Sequence, residues 1–457
     1  MSNWYLAKDT KVLKHNNKAL TVSDRIPYID IQCPAGFDPQ TEGCGKSYGS
    51  WTQINVSDNV WRFECKYSKW HDLFYNNRSS NLGDFRSTDG EFACVGSGNT
   101  DLIIYMDGLF RSCTGLVSCT TIDTSNCVNL SAMFAECSSL TAVPYLDTRQ
   151  NRDFNNFVVS CTSLVSINED IDTSNGRCFW WMCYGCTSLE TVPTIDLRNA
   201  DDTWQSEFAR RGGNDHMFTW CRSLQYVHLI GGAGIASVNE MFHMSYRASD
   251  AGYQKLAINW ENCYLPLVTG TDRDLDGNAD HGMFDWDGSN IYSVAKYYSM
   301  SSMNMPNLVG NVHYYIPQAI HVGNLSMPKV VYNYRSSLKF SQDMESVGSI
   351  DFGHEQPVGH VVLYRQMFYN CNKLSNFPDI QMPVPSDLSD IPDLSYMFTN
   401  TMYPYVPGAY AFYQYLVSKG YDTHPSAQWN HQYTFYNCNS DTWDIPANWK
   451  QQPSTGP

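Results

Sequence analysis

The sequence predicts a repeat solenoid, in which each coil holds one short strand and one short helix, preceded by a small β-rich domain. Three observations lead to this expectation. A cysteine-containing motif recurs between residues 109 and 224, residues 1–100 lack it, and 14% of the 457 residues are aromatic whereas only 17% are charged. Disordered chains have the opposite balance, which excludes disorder for most of the chain.

The motif sets the period of the predicted coils. Its copies are LFRSCTGL, MFAECSSL, FVVSCTSL, MCYGCTSL and MFTWCRSL, and their cysteines stand at 113, 137, 161, 186 and 221, so the steps are 24, 24, 25 and 35 residues. An aspartate in IDTSN, LDTRQ, IDTSN or IDLRN follows each of the first four cysteines by ten or eleven residues. A period of 24 is typical of leucine-rich repeats, so the predicted fold is a leucine-rich-repeat solenoid.

The apolar residues of one copy indicate how a coil would fold. In VNLSAMFAEC, Leu130, Met133, Phe134 and Cys137 recur at helical spacing and predict a short helix with one buried face. The preceding aspartate turn offers capping side chains, and the following SLTAVP predicts a short strand. Such units bury their apolar faces only when they stack. The expected repeat core comprises Cys113, Cys137, Cys161, Cys186, Cys221, Phe134, Leu140, Leu164, Leu189 and Leu224.

Weaker copies extend the predicted solenoid to residue 445. MFHMS, MFDWD, MFYNC, MFTNT and TFYNC begin at residues 241, 283, 367, 397 and 434. We therefore divide the chain into a β-rich docking domain (1–100), a solenoid with inserts (101–445) and a C-terminal tail (446–457). Residue types that favour strands predict five of them near the N-terminus, at 25–33, 51–56, 60–67, 91–96 and 101–106.

The box [M/F]F-x-x-C-x-S-L, followed by a D-T-S turn, resembles the BspA-like leucine-rich-repeat family. That family occurs in surface proteins of gut and oral bacteria and in some protists, and related repeats occur in virion proteins of bacteriophages. The resemblance covers residues 101–230 well and the rest in patches, and it implies a scaffold rather than a particular chemistry. The 35-residue step and the loss of cysteine at 245, 287 and 401 depart from the family pattern.

The sequence offers one candidate ligand site, a calcium loop in an insert. Asp272, Asp274 and Asp276 match positions 1, 3 and 5 of such a loop, Gly277 supplies its tight turn, and Asp280 falls at position 9. Position 12, which normally carries a glutamate, is methionine. Ca²⁺ is therefore the one candidate cofactor, and a solvated loop without a metal is the alternative.

No catalytic constellation emerges, and we expect the protein not to be an enzyme. GCGKS at 43–47 lacks the first glycine of a phosphate loop, because residue 40 is glutamine, and His354-Glu355 lacks a second histidine at 358. The C-x-x-C pair of Cys183 and Cys186 occupies repeat positions. Core packing is therefore favoured over a metal or redox site, because buried cysteine packs as a small hydrophobe.

Composition and local sequence patterns limit the classes of partner that the protein can have. The 30 Lys and Arg against 46 Asp and Glu give a net charge of −16, which disfavours nucleic acid. No apolar run reaches the ~18 residues of a membrane span, and residues 1–22 lack the apolar segment of a secretory signal. A tyrosine-rich region around a predicted helix at 408–418 forms either a contact surface or a cap on the array. Its candidate contact residues are Tyr405, Tyr410, Tyr413 and Tyr415.

These observations favour a non-enzymatic bacteriophage virion protein, such as a head fibre, a capsid decoration or a tail fibre, that is made in the host cytoplasm. Its expected partners are other virion proteins, a host surface protein or glycan, and further copies of itself. A BspA-like bacterial surface adhesin is the alternative, although an adhesin needs a secretion signal and an anchor. An intracellular repeat scaffold is the second alternative.

Overall fold

The computed structural model describes residues 4–7, 12–15, 18–21, 25–45, 51–75, 84–201, 214–235, 238, 240–242, 255–261, 297–304, 309–310, 319–326, 330–331, 344–351, 364, 366–382, 393–402, 404–423 and 431–451. Within these ranges, buried apolar side chains from Ile29 to Trp449 belong to one core cluster. That continuity means that the repeats and the strands before them share an interior.

The N-terminal strands form two sheets. Three strands pair antiparallel in the order β1-β2-β3, and five pair in the order β5-β6-β4-β7-β8. The second sheet is antiparallel except for β7 and β8, which run parallel. The strands are β1 Trp4–Ala7, β2 Val12–His15, β3 Lys18–Thr21, β4 Tyr28–Gln32, β5 Thr52–Ser57, β6 Val60–Glu64, β7 Phe92–Gly98 and β8 Leu116–Cys119.

Alternation of apolar and polar residues explains the centre of the five-stranded sheet. Ile29 and Ile31 of β4 are fully buried, as is Phe63 of the neighbouring β6. On the opposite side of β4, Arg62 donates two hydrogen bonds to Asp30, at 2.8 and 2.9 Å. Four of the five predicted strands are thereby confirmed, whereas the segment at 101–106 forms part of a short 3₁₀ turn and two isolated bridges at Tyr105.

Short parallel strands continue along the chain after β8. The pair β9–β10 is parallel, and the largest sheet has eight strands, ordered β11-β12-β13-β14-β16-β19-β20 with β18 paired to β16. A further parallel pair joins β15 to β17. The strands are β9 Ala142–Val143, β10 Ser166–Ile167, β11 Ile195–Leu197, β12 Tyr226–Gly231, β13 Lys255–Glu261, β14 Tyr297–Asn304, β15 Val309–Gly310, β16 Ala319–Ser326, β17 Val330–Val331, β18 Ser346–Val347, β19 Ser349–Asp351 and β20 Asp379–Gln381.

The predicted leucine-rich-repeat solenoid, with a strand and a helix in each coil, is wrong. The described residues form small mixed and parallel sheets with three short α-helices, α1 Pro39–Glu42, α2 Ala409–Ser418 and α3 Ala447–Lys450. None of these helices lies in a copy of the motif. Helix α2 matches the helix predicted at 408–418, and Gly420 with a φ of +88° follows its end.

The motif folds as consecutive turns because two of its residues are left-handed. We define a box as the six residues that end at the motif cysteine or its equivalent. The first and the fifth residue of a box have positive φ, as Ala132 (53°) and Glu136 (63°) do in the box 132–137. A right-handed helix cannot pass through such residues. The same two positions are left-handed in the boxes 108–113, 156–161, 181–186, 216–221, 366–371, 396–401 and 433–438.

Backbone hydrogen bonds join neighbouring boxes in register. The amides of Ala132, Phe134 and Glu136 donate to the carbonyl oxygens of the next box and of the residue just before it, at 2.8, 3.0 and 2.6 Å. Within the box, Ala135 and Cys137 donate three residues back. Every second amide therefore points out of the turn, where only a neighbouring box satisfies it.

Aspartate turns and phenylalanine rings complete the contacts between boxes. Asp123 accepts a hydrogen bond from the amide of Ser125 at 3.0 Å, and Thr124 Oγ1 donates to the Asp147 carbonyl of the next turn at 2.9 Å. The ring of Phe110 stacks on Phe74 and Phe134, with centroids 5.3 and 5.7 Å apart. The predicted capping of a repeat helix by these aspartates is wrong, because no helix follows them, and Asp123 instead accepts a hydrogen bond within its own turn.

Glycine and alanine exchanges test the left-handed positions. At Gly185, with φ at +76°, an added Cβ would lie 3.3 Å from Ser160 Oγ, so Gly185→Ala should lower the free energy of unfolding by about 1 kcal/mol. At Ala132, glycine would relieve the same backbone strain but would add conformational entropy to the unfolded chain. These effects offset each other, so Ala132→Gly should change the free energy of unfolding by less than about 0.5 kcal/mol. Urea unfolding measures both. A neutral Gly185→Ala, or an Ala132→Gly that costs as much as glycine does inside a helix, would contradict the assignment.

Candidate functional site

The repeat cysteines lie inside the structure and donate hydrogen bonds between boxes. Each of the five is fully buried. Four thiols donate to a carbonyl oxygen of the preceding box, at the position three residues before that box's cysteine. The Sγ–O distances are 3.0 Å from Cys137 to Phe110, 2.9 Å from Cys161 to Phe134, 2.9 Å from Cys186 to Val158 and 3.0 Å from Cys221 to Cys183.

Burial also makes the thiols of Cys113, Cys161 and Cys221 poor nucleophiles and metal ligands. Desolvation raises the pKa of Cys113, Cys161 and Cys221 well above the ordinary thiol value, and it raises the pKa of Cys127 to about 12. The thiolate is the form that attacks electrophiles or binds metals. Cys183, the other half of the C-x-x-C pair, is fully buried at the position where most other boxes carry phenylalanine. Its pKa is likewise raised well above normal by burial.

The remaining predicted core residues lie in the same interior. Phe134 and the four leucines that follow the box cysteines, at 140, 164, 189 and 224, are at most 1% exposed. The candidate calcium ligands Asp272, Asp274, Asp276 and Asp280 lie outside the described residues. Among the residues that are described, no group of three or more His, Cys, Asp and Glu side chains is placed to hold a metal ion.

A segment ahead of residue 101 begins as a box does, and it escaped the sequence analysis because it lacks the cysteine. Asp72, with a φ of 46°, begins the sequence DLFY, and its amide donates to the Asp107 carbonyl of the next repeat at 2.8 Å. Phe74 of this segment stacks on Phe110. The sequence signal that could have identified this segment is the apolar pair Leu-Phe directly after a polar residue. The hydrogen-bonded rows therefore begin ahead of residue 101.

A histidine between two carboxylates joins this segment to the residues that begin the box 108–113. His71 Nδ1 contacts Asp107, and its Nε2 lies 3.3 Å from Asp72 Oδ2. Burial raises the pKa of Asp72. Gly108 lies so close that a Cβ there would overlap the Asp72 carboxylate, which explains glycine at this left-handed position. These polar groups contact one another across the two segments.

The tyrosine-rich region separates into packed and exposed rings. Tyr410, Tyr413 and Tyr415 are partly buried and pack against the core, and Tyr415 Oη accepts a hydrogen bond from the Met382 amide at 2.8 Å. Tyr405 is exposed at 48%. Of the four predicted contact residues, three thus pack against the core, and Tyr405 alone is exposed.

Trp443, one of the tryptophans that extend the aromatic pattern of the tyrosine-rich region, lies beside Tyr405. It is 68% exposed, and its ring is parallel to that of Tyr405 within 4°, with centroids 6.3 Å apart. We call these two residues the Tyr405/Trp443 pair. No periodic signal marks Trp443, because it lies in an irregular segment after the last box.

A second group of aromatic rings lies on the boxes 181–186 and 216–221. Trp181 stacks on Trp180 and Tyr184 with centroids 4.5 and 4.6 Å apart, and Tyr184 contacts Trp220 at 4.9 Å. All of these rings are half-buried. Trp181 and Trp220 occupy left-handed positions, with φ of 56° and 64°. The rings largely cover one another's faces.

Comparisons with known protein families, with curated proteins and with solved structures each find no match. Among the helices that the described residues form, none is both long and apolar enough to cross a membrane.

Titration of the buried thiols gives a testable pH dependence. Because the folded pKa of Cys161 lies well above the model-compound value of 9.0, its contribution to stability is complete below pH 9 and declines as the pH rises further. Serine does not titrate there, so Cys161→Ser should flatten the fall in unfolding free energy between pH 9 and 10.5, by up to about 1.4 kcal/mol per pH unit. Denaturant unfolding at several pH values measures the slope. Identical slopes in the two proteins would contradict this account.

Proposed function

We propose that the protein is a non-enzymatic structural protein that supports contact surfaces, and that it serves as a bacteriophage virion component of the head-fibre, decoration or tail-fibre kind. The observation that carries the scaffold role is the division within each box. The inward residues, such as Met133, Phe134 and Cys137, are fully buried. The left-handed positions are at least partly exposed in most boxes, and their residue types vary from Glu136 to Trp181.

Polar side chains that repeat along the chain also serve the scaffold. Thr124 and Thr148 donate to the carbonyls of the following turns at 2.9 and 2.7 Å, and Asn126 and Asn175 donate to preceding turns at 2.8 and 2.6 Å. Repeated polar residues with these contacts stabilise stacking, whereas catalysis requires groups gathered at one place.

The virion setting rests on the resemblance of the box and its aspartate turn to repeats of bacteriophage virion proteins. A scaffold of many identical contacts suits a part that has to hold its shape outside a cell. Its expected partners are other virion proteins and copies of the same chain.

Mass spectrometry of purified, nuclease-treated phage particles, beside washed bacterial envelopes from the same culture, tests this setting. We expect the intact chain in the particles at tens of copies or more, and the copy number separates a capsid from a tail location. Recovery from the envelopes alone would contradict the proposal and favour a bacterial surface protein.

A further inference from the structure

Two aromatic side chains near the last box are exposed to solvent. Trp443 is 68% exposed and Tyr405 is 48% exposed, the highest exposure of any tryptophan and one of the highest of any tyrosine among the described residues. Solvent contact of this much aromatic surface is unfavourable in the free protein. The pair therefore points to a ligand.

Hydrogen bonds fix the segments that carry the two rings. The Val406 amide donates to the Asn439 carbonyl at 3.0 Å, and the Gly408 amide donates to Asp441 Oδ1 at 2.7 Å. Burial opposes ionisation of Asp441, but the amides of Gly408 and Tyr410 and the Ser440 hydroxyl outweigh it and hold the pKa of Asp441 below its usual value. The carboxylate thus stays charged and the two segments stay joined. The parallel arrangement exists before any ligand binds, which lowers the entropy cost of binding.

The area and charge of the site restrict the ligand class. Each aromatic side chain buries at most about 250 Å², so two rings supply far less than the roughly 1,200 Å² of a specific protein interface. The net charge of −16 and the exposed Asp444 next to Trp443 disfavour a polyanion. Parallel rings offer flat faces, whereas a quaternary ammonium group is held by rings on several sides.

We propose that the Tyr405/Trp443 pair binds a neutral carbohydrate, with pyranose rings stacked on the two aromatic faces. One side of a pyranose presents several C–H bonds, which pack on an indole or phenol face, while its hydroxyl groups remain at the rim. Asp444 and the Tyr405 hydroxyl belong to exposed residues that can meet those groups. This proposal rests on the contact role proposed above and not on the virion setting.

Affinity electrophoresis of the full chain tests the proposal. Native gels would contain dextran, a β-glucan, a mannan or a galactan, each a neutral polysaccharide. We expect retardation by at least one of them, and Trp443→Ala should weaken the apparent affinity at least tenfold, as truncation of a central aromatic contact commonly does. Tyr405→Ala should also weaken it, whereas Trp443→Tyr should retain most of it.

Tyr145→Ala is the matched control, since Tyr145 is 41% exposed on an earlier repeat and should leave retardation unchanged. Absence of retardation in all four polysaccharides would overturn the proposal. Retardation that survives Trp443→Ala, or binding to a proline-rich peptide in place of the polysaccharides, would also overturn it. Because the assay uses isolated protein, its outcome is independent of whether the chain is found in phage particles.

Discussion

Two left-handed residues in each box are the constraint on which the rest of the repeats depend. They turn the chain twice within five residues and aim alternate amides at the neighbouring box. Each left-handed residue other than glycine costs about 1 kcal/mol, and each amide left unpaired in the interior would cost a similar amount or more. In an isolated box these costs would not be offset, whereas in a row of boxes the neighbours pair the amides and bury the rings. The boxes therefore require their neighbours.

The thiols take part in the same arrangement. The Phe134 carbonyl accepts two hydrogen bonds, one from the backbone amide of Cys137 in its own box, at 3.1 Å, and one from the thiol of Cys161 in the next box. Cysteine fits because it is small, apolar enough for the interior and able to donate. Where the box carries Thr401 instead, the hydroxyl donates within its own box to Phe398. The recurring cysteine thus needs no redox or metal chemistry to explain it.

The residue pattern of the sequence predicts the repeat period and the four strands β4–β7, but it does not predict the backbone conformation of the box. Leu130, Met133, Phe134 and Cys137 have helical spacing, and turns with hydrogen bonds three residues back bury the same set. Residues such as Ala132 and Glu136 favour helices by themselves, so only tertiary contacts reveal their positive φ. Tyr405 and Trp443 are 38 residues apart in the sequence, so no local sequence pattern predicts that their rings lie side by side.

Hydrogen exchange of the box amides tests the central claim most directly. Mass spectrometry of overlapping peptides would follow the exchange of residues 132–137 and 156–161 beside strand β4 in the folded protein. If hydrogen bonds between boxes hold the repeats together, the amides of Ala132, Phe134 and Glu136 should exchange as slowly as those of β4, through global unfolding. Exchange within minutes in the boxes, while β4 stays protected, would contradict this account.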